Sequence, residues 1–153
     1  MAPLREPIDV VFSFDTTGSM YPCLARVRRE LRAAIVRLSA RVPGIRIGII
    51  AHGDYCDRNR PYVTKRFPLS NDADAIYNFV SDVSPTNGGD APECYELVLH
   101  EARDMQWSAG RKKVLVLIGD DVPHPARDPQ NTQHLDWKNE IRLLLEMGVQ
   151  VYG

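Results

Sequence analysis

Nowhere does this sequence hold an apolar run near the roughly 20 residues that a membrane-spanning helix requires. Its first residues, MAPLREPID, lack the apolar core of a secretion signal. Three cysteines, Cys23, Cys56 and Cys94, are too few and too irregular for a disulfide framework, and none stands in the Cys-x-x-Cys spacing of a zinc site. There is no net charge to speak of: 19 basic against 20 acidic side chains leave no field that would draw nucleic acid or anionic lipid. Phosphate-binding glycine loops of either common spacing are missing, and no Ser-His-Asp arrangement can be assembled. Repeats, linkers and low-complexity tracts are absent too. These gaps predict one domain over residues 1–153, in a reducing cytoplasm, with neither a membrane nor a nucleic acid as its partner.

What is present is an alternation of two periods. Residues 8–14 are nearly all apolar, as a parallel strand covered on both faces requires. After them Leu24, Val27, Leu31, Ile35 and Leu38 recur at helical steps, with Arg26, Arg28, Arg29, Arg32 and Arg37 on the other side, read as a solvated face. Pro22 suits the first turn of that helix and Pro43-Gly44 ends it. Residues 45–51 read as a second buried strand and 62–67 as an edge strand. Asn71 and Asp72 can cap a helix through Ile76, Phe79 and Val80, and Pro92 is placed to open another through Leu97, Val98, Ala102 and Met105. Residues 113–118 form the clearest buried strand. A proline-rich loop then leads to a helix through Leu135, Ile141, Leu144 and Leu145, closed by Gly148, and to a last strand from Val149. His124 and His134, in and after that loop, read as surface residues, and His52 as a loop residue with a local hydrogen bond.

Strands alternating with helices imply a parallel α/β sheet with right-handed crossovers. Ligands of such sheets gather beyond the carboxyl ends of the strands. Asp15 follows the first strand, Asp54 the second, and Asp120 and Asp121 the fourth, while Gly88-Gly89-Asp90 feeds the helix before the fourth. The polar clusters therefore converge on one rim. Asp15, Thr17 and Ser19 alternate along the chain, so an extended turn aims three oxygens at one point. Hard oxygens of mixed charge suit a small octahedral cation.

FDTTGSM after the first strand, GGDAPE before a helix and LIGDD after a later strand resemble, over the whole chain, a von Willebrand factor A domain. The resemblance implies a Rossmann-like three-layer α/β/α sandwich, mostly parallel with one antiparallel edge strand, and a metal-ion-dependent adhesion site. It implies Mg²⁺ or Mn²⁺, with Thr17 and Ser19 as direct ligands and Asp15 and Asp120 acting often through water. It also implies a protein partner whose acidic side chain completes the metal's shell. The family usually places threonine in the loop where Gly88-Gly89-Asp90 stands; Asp90 takes that position by its glycine pair, ahead of Thr86, the nearest hydroxyl, and Asp54 is a further carboxylate near the metal. The family also continues with another strand and closing helix past Val151-Tyr152-Gly153, and an apolar edge left there invites a homodimer. Two other readings compete: a scaffold whose metal site is vestigial, and a Mg²⁺-dependent phosphohydrolase. The second needs a general-acid carboxylate two residues beyond Asp15, where Thr17 stands, so no enzyme is expected.

Overall fold

The structure is a computed structural model and describes residues 6–59, 61–89 and 92–153. Its elements follow the order β1 (Ile8–Asp15), α1 (Tyr21–Arg41), β2 (Arg46–His52), β3 (Thr64–Ser70), α2 (Ala73–Asp82), α3 (Tyr95–Ala102), β4 (Lys112–Ile118), α4 (Trp137–Glu146) and β5 (Val149–Tyr152). Among the described residues five strands form one sheet in the order β3-β2-β1-β4-β5. β2 and β4 both lie parallel to β1, β5 lies parallel to β4, and only β3 is antiparallel, at the edge beside β2.

The apolar runs of β1 and β2 are buried on both faces because each strand sends alternate side chains to opposite layers, whereas β4, expected to be the clearest buried strand, is fully buried only at Leu115. Val10 and Phe14 of β1 and Ile47, Ile49 and Ala51 of β2 meet Leu24, Leu31 and Ile35 of α1 and Ile76 and Val80 of α2. On the other face Val11, Ile50 and Leu115 meet Val98, Leu99 and Ala102 of α3 and Leu144 of α4. This is the expected three-layer sandwich. Among the described residues no helix is long and apolar enough to cross a membrane.

Three boundaries move, the first being the edge strand expected over 62–67, which runs Thr64–Ser70. α3 starts at Tyr95 rather than at Pro92, because the Glu93 amide donates to the Val122 carbonyl and draws the preceding residues into a bridge with the loop after β4. Leu135 is buried just ahead of α4, whose first turn is set by the Asp136 carboxylate accepting from the Lys138 amide.

Candidate metal centre

β1 is the strand at which the order reverses: the chain leaves it for β2 on one side and reaches β4 on the other. The crevice between the carboxyl ends of β1 and β4 is thus the switch point where this architecture places ligands. Asp15, the last residue of β1, is fully buried there. Its Oδ1 accepts from the Thr17 amide at 2.8 Å and the Thr17 hydroxyl at 2.7 Å. Thr17 Oγ1 lies 3.3 Å from Ser19 Oγ, and Ser19 donates to Asp120 Oδ1 at 3.1 Å. The oxygens of Asp15, Thr17, Ser19 and Asp120 therefore follow one another in a row, and because each hydroxyl gives its one proton to a carboxylate, Thr17 Oγ1 and Ser19 Oγ face each other with lone pairs. The Asp15 end of the row is buried while Ser19 and Asp120 open to solvent.

Thr16 points the opposite way, and Thr86 goes with it. The Thr86 hydroxyl lies 3.0 Å from Thr16 Oγ1, and its amide donates to the Thr16 carbonyl. Thr86 is thus packed behind the turn, and the structure does not bring it into the chain of oxygens. Asp90 lies outside the described residues. Asp54 is fully buried against His124, whose Nε2 sits 2.8 Å from Asp54 Oδ1. His124 Nδ1 lies 3.2 Å from Asp128 Oδ2. Burial opposes the charge on this imidazole, but Asp54 and Asp128 outweigh it and hold its pKa above the ordinary value. His124 is therefore no surface residue: it is fully buried and ties the loop after β4 to the end of β2. His134 does stay exposed. His52 is the last residue of β2, fully buried edge-on against Tyr95, and burial lowers its pKa despite nearby Asp15.

Three residues of the site escape a local reading of the sequence. Tyr95, the first residue of α3, donates to Asp15 Oδ2 at 3.2 Å. Asp57 collects the loop over the site: its Oδ2 accepts from the Asp54 and Gly88 amides at 2.9 Å each, and its Oδ1 accepts from the Asn87 amide at 3.1 Å. Glu93 is the third. It is 3 % exposed, and its Oε2 has no hydrogen-bond partner among the described residues. Burial pushes its pKa up to about 9, and the charges of Asp15 and Asp54 add to the effect. Gly88 makes room for it, since a Cβ there would stand 3.1 Å from both Glu93 Oε1 and Thr17 Cβ.

Asp54 is matched by His124, but Asp15 and Glu93 lie at low exposure beside it, and a buried carboxylate oxygen without a partner is costly. The donor chemistry fits a hard dication: two hydroxyls lie between two carboxylates, with Glu93 against Thr17. Among the described residues no three His, Cys, Asp or Glu groups form a compact metal-binding cluster.

Sheet order, crossovers and the site at the switch point define a doubly wound α/β domain with an oxygen-lined crevice. The chain belongs to the von Willebrand factor type A domain family, whose sequence profile matches residues 9–153. Among solved structures it is similar to the pilus adhesin SpaC from Lactobacillus rhamnosus GG in an open conformation, at 20% identity and a TM-score of 0.62, over 77% of this chain and 15% of that one. Proximal thread matrix protein 1 from the mussel byssus is similar at 18% identity and a TM-score of 0.71, over 95% of this chain and 34% of that one. The chain thus spans about a third or less of these solved proteins. A comparison with curated proteins finds no match.

Proposed function

We propose that this domain is a protein-interaction module that holds Mg²⁺ or Mn²⁺ at the ends of β1 and β4 and offers it to an acidic side chain of a partner protein. The observation that carries this reading is the row of oxygens from Asp15 through Thr17 and Ser19 to Asp120, whose two hydroxyls face each other with lone pairs. Thr17 and Ser19 would hold the ion directly, with Asp15, Asp120 and Glu93 balancing its charge and orienting its waters, and Asp90 joining from the loop. The ion would supply an electrophilic centre for a partner's carboxylate. Ser19 and Asp120, at the open end, face the side from which a partner approaches. Two solved proteins that share the fold are named an adhesin and a matrix protein, which supports binding rather than catalysis. The reducing cytoplasm is the proposed setting, in keeping with the exposed thiols of Cys23 and Cys56.

Calorimetric titration with Mg²⁺ tests the site. The wild type should give a saturable heat, and Asp15→Asn and Ser19→Ala should weaken binding by about tenfold or more, the effect of losing roughly 1.4 kcal/mol. Equal affinities in all three proteins would end the reading. Capture of a partner from the native source that proceeds equally in EDTA and in Mg²⁺ would favour a metal-independent scaffold.

A further inference from the structure

α1 carries six arginines, Arg26, Arg28, Arg29, Arg32, Arg37 and Arg41, against the single acid Glu30, in a chain whose net charge is −1. A solvated face explains only part of this. Arg28 and Arg32 lean onto α2: Arg28 Nη2 donates to the Val83 carbonyl at 2.5 Å, and Arg32 Nη1 donates to Ser81 Oγ at 3.2 Å. The Arg32 guanidinium carbon also stands 5.0 Å from the centroid of the Tyr77 ring. Its Nε is buried and donates to nothing among the described residues. Beside it lies an open hollow of about 400 Å³ lined by Arg29, Arg32, Ala33, Val36, Arg37 and Tyr77, with no acidic residue in its wall.

Val36 is 54% exposed and Tyr77 37% exposed, so the hollow presents apolar surface ringed by guanidinium groups. Arg37 has no ion pair among the described residues. The bond of Arg29 to Glu30, at 3.4 Å between side chains 65% and 60% exposed, is readily exchanged for a better partner. Arginine favours planar, bidentate recognition of carboxylates over the point-charge attraction of lysine. A nucleic-acid backbone calls for cations continuing along a groove, and a membrane surface for a broad basic plane. Three arginines around two apolar side chains match something smaller.

We propose that this hollow docks an acidic segment of a partner protein that carries an aliphatic side chain between its carboxylates. Arg29, Arg32 and Arg37 receive the carboxylates, and Val36 and Tyr77 receive the aliphatic group. The hollow lies roughly 12–24 Å along α1 from Tyr21 at the metal rim, at about 1.5 Å per residue. It is therefore a second contact, independent of the metal, and a partner engaging both sites would span the flank of the domain.

The test is fluorescence anisotropy with a labelled synthetic peptide of glutamates flanking a central leucine. The peptide should bind, more weakly as salt rises, and Arg29→Glu with Arg37→Glu should weaken it by about tenfold. Val36→Ser, at an exposed position that leaves folding intact, should weaken it several-fold. Chelator and Asp15→Asn should change nothing, which separates this site from the metal centre. The proposal is overturned if a glutamine version of the peptide binds as well, or if the double variant binds like the wild type. It is equally overturned if an oligothymidine or phosphatidylserine vesicles displace the peptide and bind more tightly.

Discussion

Gly119 has no side chain because Tyr95 occupies the space. A Cβ at position 119 would fall 1.8 Å from the Tyr95 hydroxyl and 2.7 Å from Cζ, distances no packing tolerates. The consequence reaches the metal centre, since that same hydroxyl donates to Asp15 Oδ2. Gly119→Ala should therefore destabilise the domain by about 1–3 kcal/mol, the usual cost of overpacking, and should also weaken Mg²⁺ binding by releasing Asp15. Tyr95→Phe removes only one hydrogen bond and should cost about 1 kcal/mol. In the double variant the shortest clash is gone, so the two costs should sum to less than additivity. Urea denaturation of the three variants measures this, and strict additivity would mean that the Tyr95 hydroxyl is not what excludes a side chain at position 119. Residues of this kind leave little trace in a sequence. Asp15, Thr17 and Ser19 could be read because their oxygens repeat with the period of an extended chain, whereas Tyr95 looks like any aromatic at the start of a helix.

At the scale of elements, the loop ahead of α3 is shaped by a turn that follows β2. Asp57 lies in the short 3-10 turn after β2, 2% exposed, and takes amides from Asp54, Asn87 and Gly88. Charged acceptors of this sort make the stronger hydrogen bonds. Asp57→Asn turns a donor toward donors, so it should cost about 2 kcal/mol and loosen residues 86–89. Hydrogen exchange should show the Asn87 and Gly88 amides losing protection while those of β1 keep theirs; unchanged protection at Asn87 and Gly88 would remove Asp57 from this role. The strands, helices and their order were legible because burial on two faces writes continuous apolar runs and burial on one face writes a helical period. The shared rim of Asp15 and Asp120 followed from parallel topology alone. Asp57, His124 and Glu93 were not legible, because each also takes partners from segments 30 or more residues away. Glu93 carried a faint signal: it falls between a Gly-Gly loop and an apolar helix face, where a carboxylate has no reason to be buried.

The whole molecule treats the two ends of its sheet in opposite ways. Among the described residues the carboxyl ends gather several acids around a single raised imidazole, His124, while the amino ends close around one neutralised acid. Asp9, on β1, is fully buried. It accepts from Arg46 at 2.9 and 2.6 Å, from Arg111 at 2.6 Å and from the Ser108 amide at 3.0 Å. Arg46 opens β2 and Arg111 immediately precedes β4, so one carboxylate pins the starts of the three central strands. Burial by itself would raise the Asp9 pKa, but the two guanidinium groups and the Ser108 amide outweigh it and hold the carboxyl below its usual range. A group whose native pKa is depressed contributes stability that is fully present above its unfolded value, about 3.9, and that fades as pH falls toward the native value. Asp9→Asn should then lower stability at pH 7 by about 3 kcal/mol, because two partly buried arginines lose their counterion. The difference between variant and wild type should hold steady from pH 7 to about 5 and shrink below pH 4, as acid removes from the wild type the charge that the variant never had. Urea denaturation across that range decides it: a difference that stays constant down to pH 3 would mean that Asp9 is bound for its shape and not for its charge.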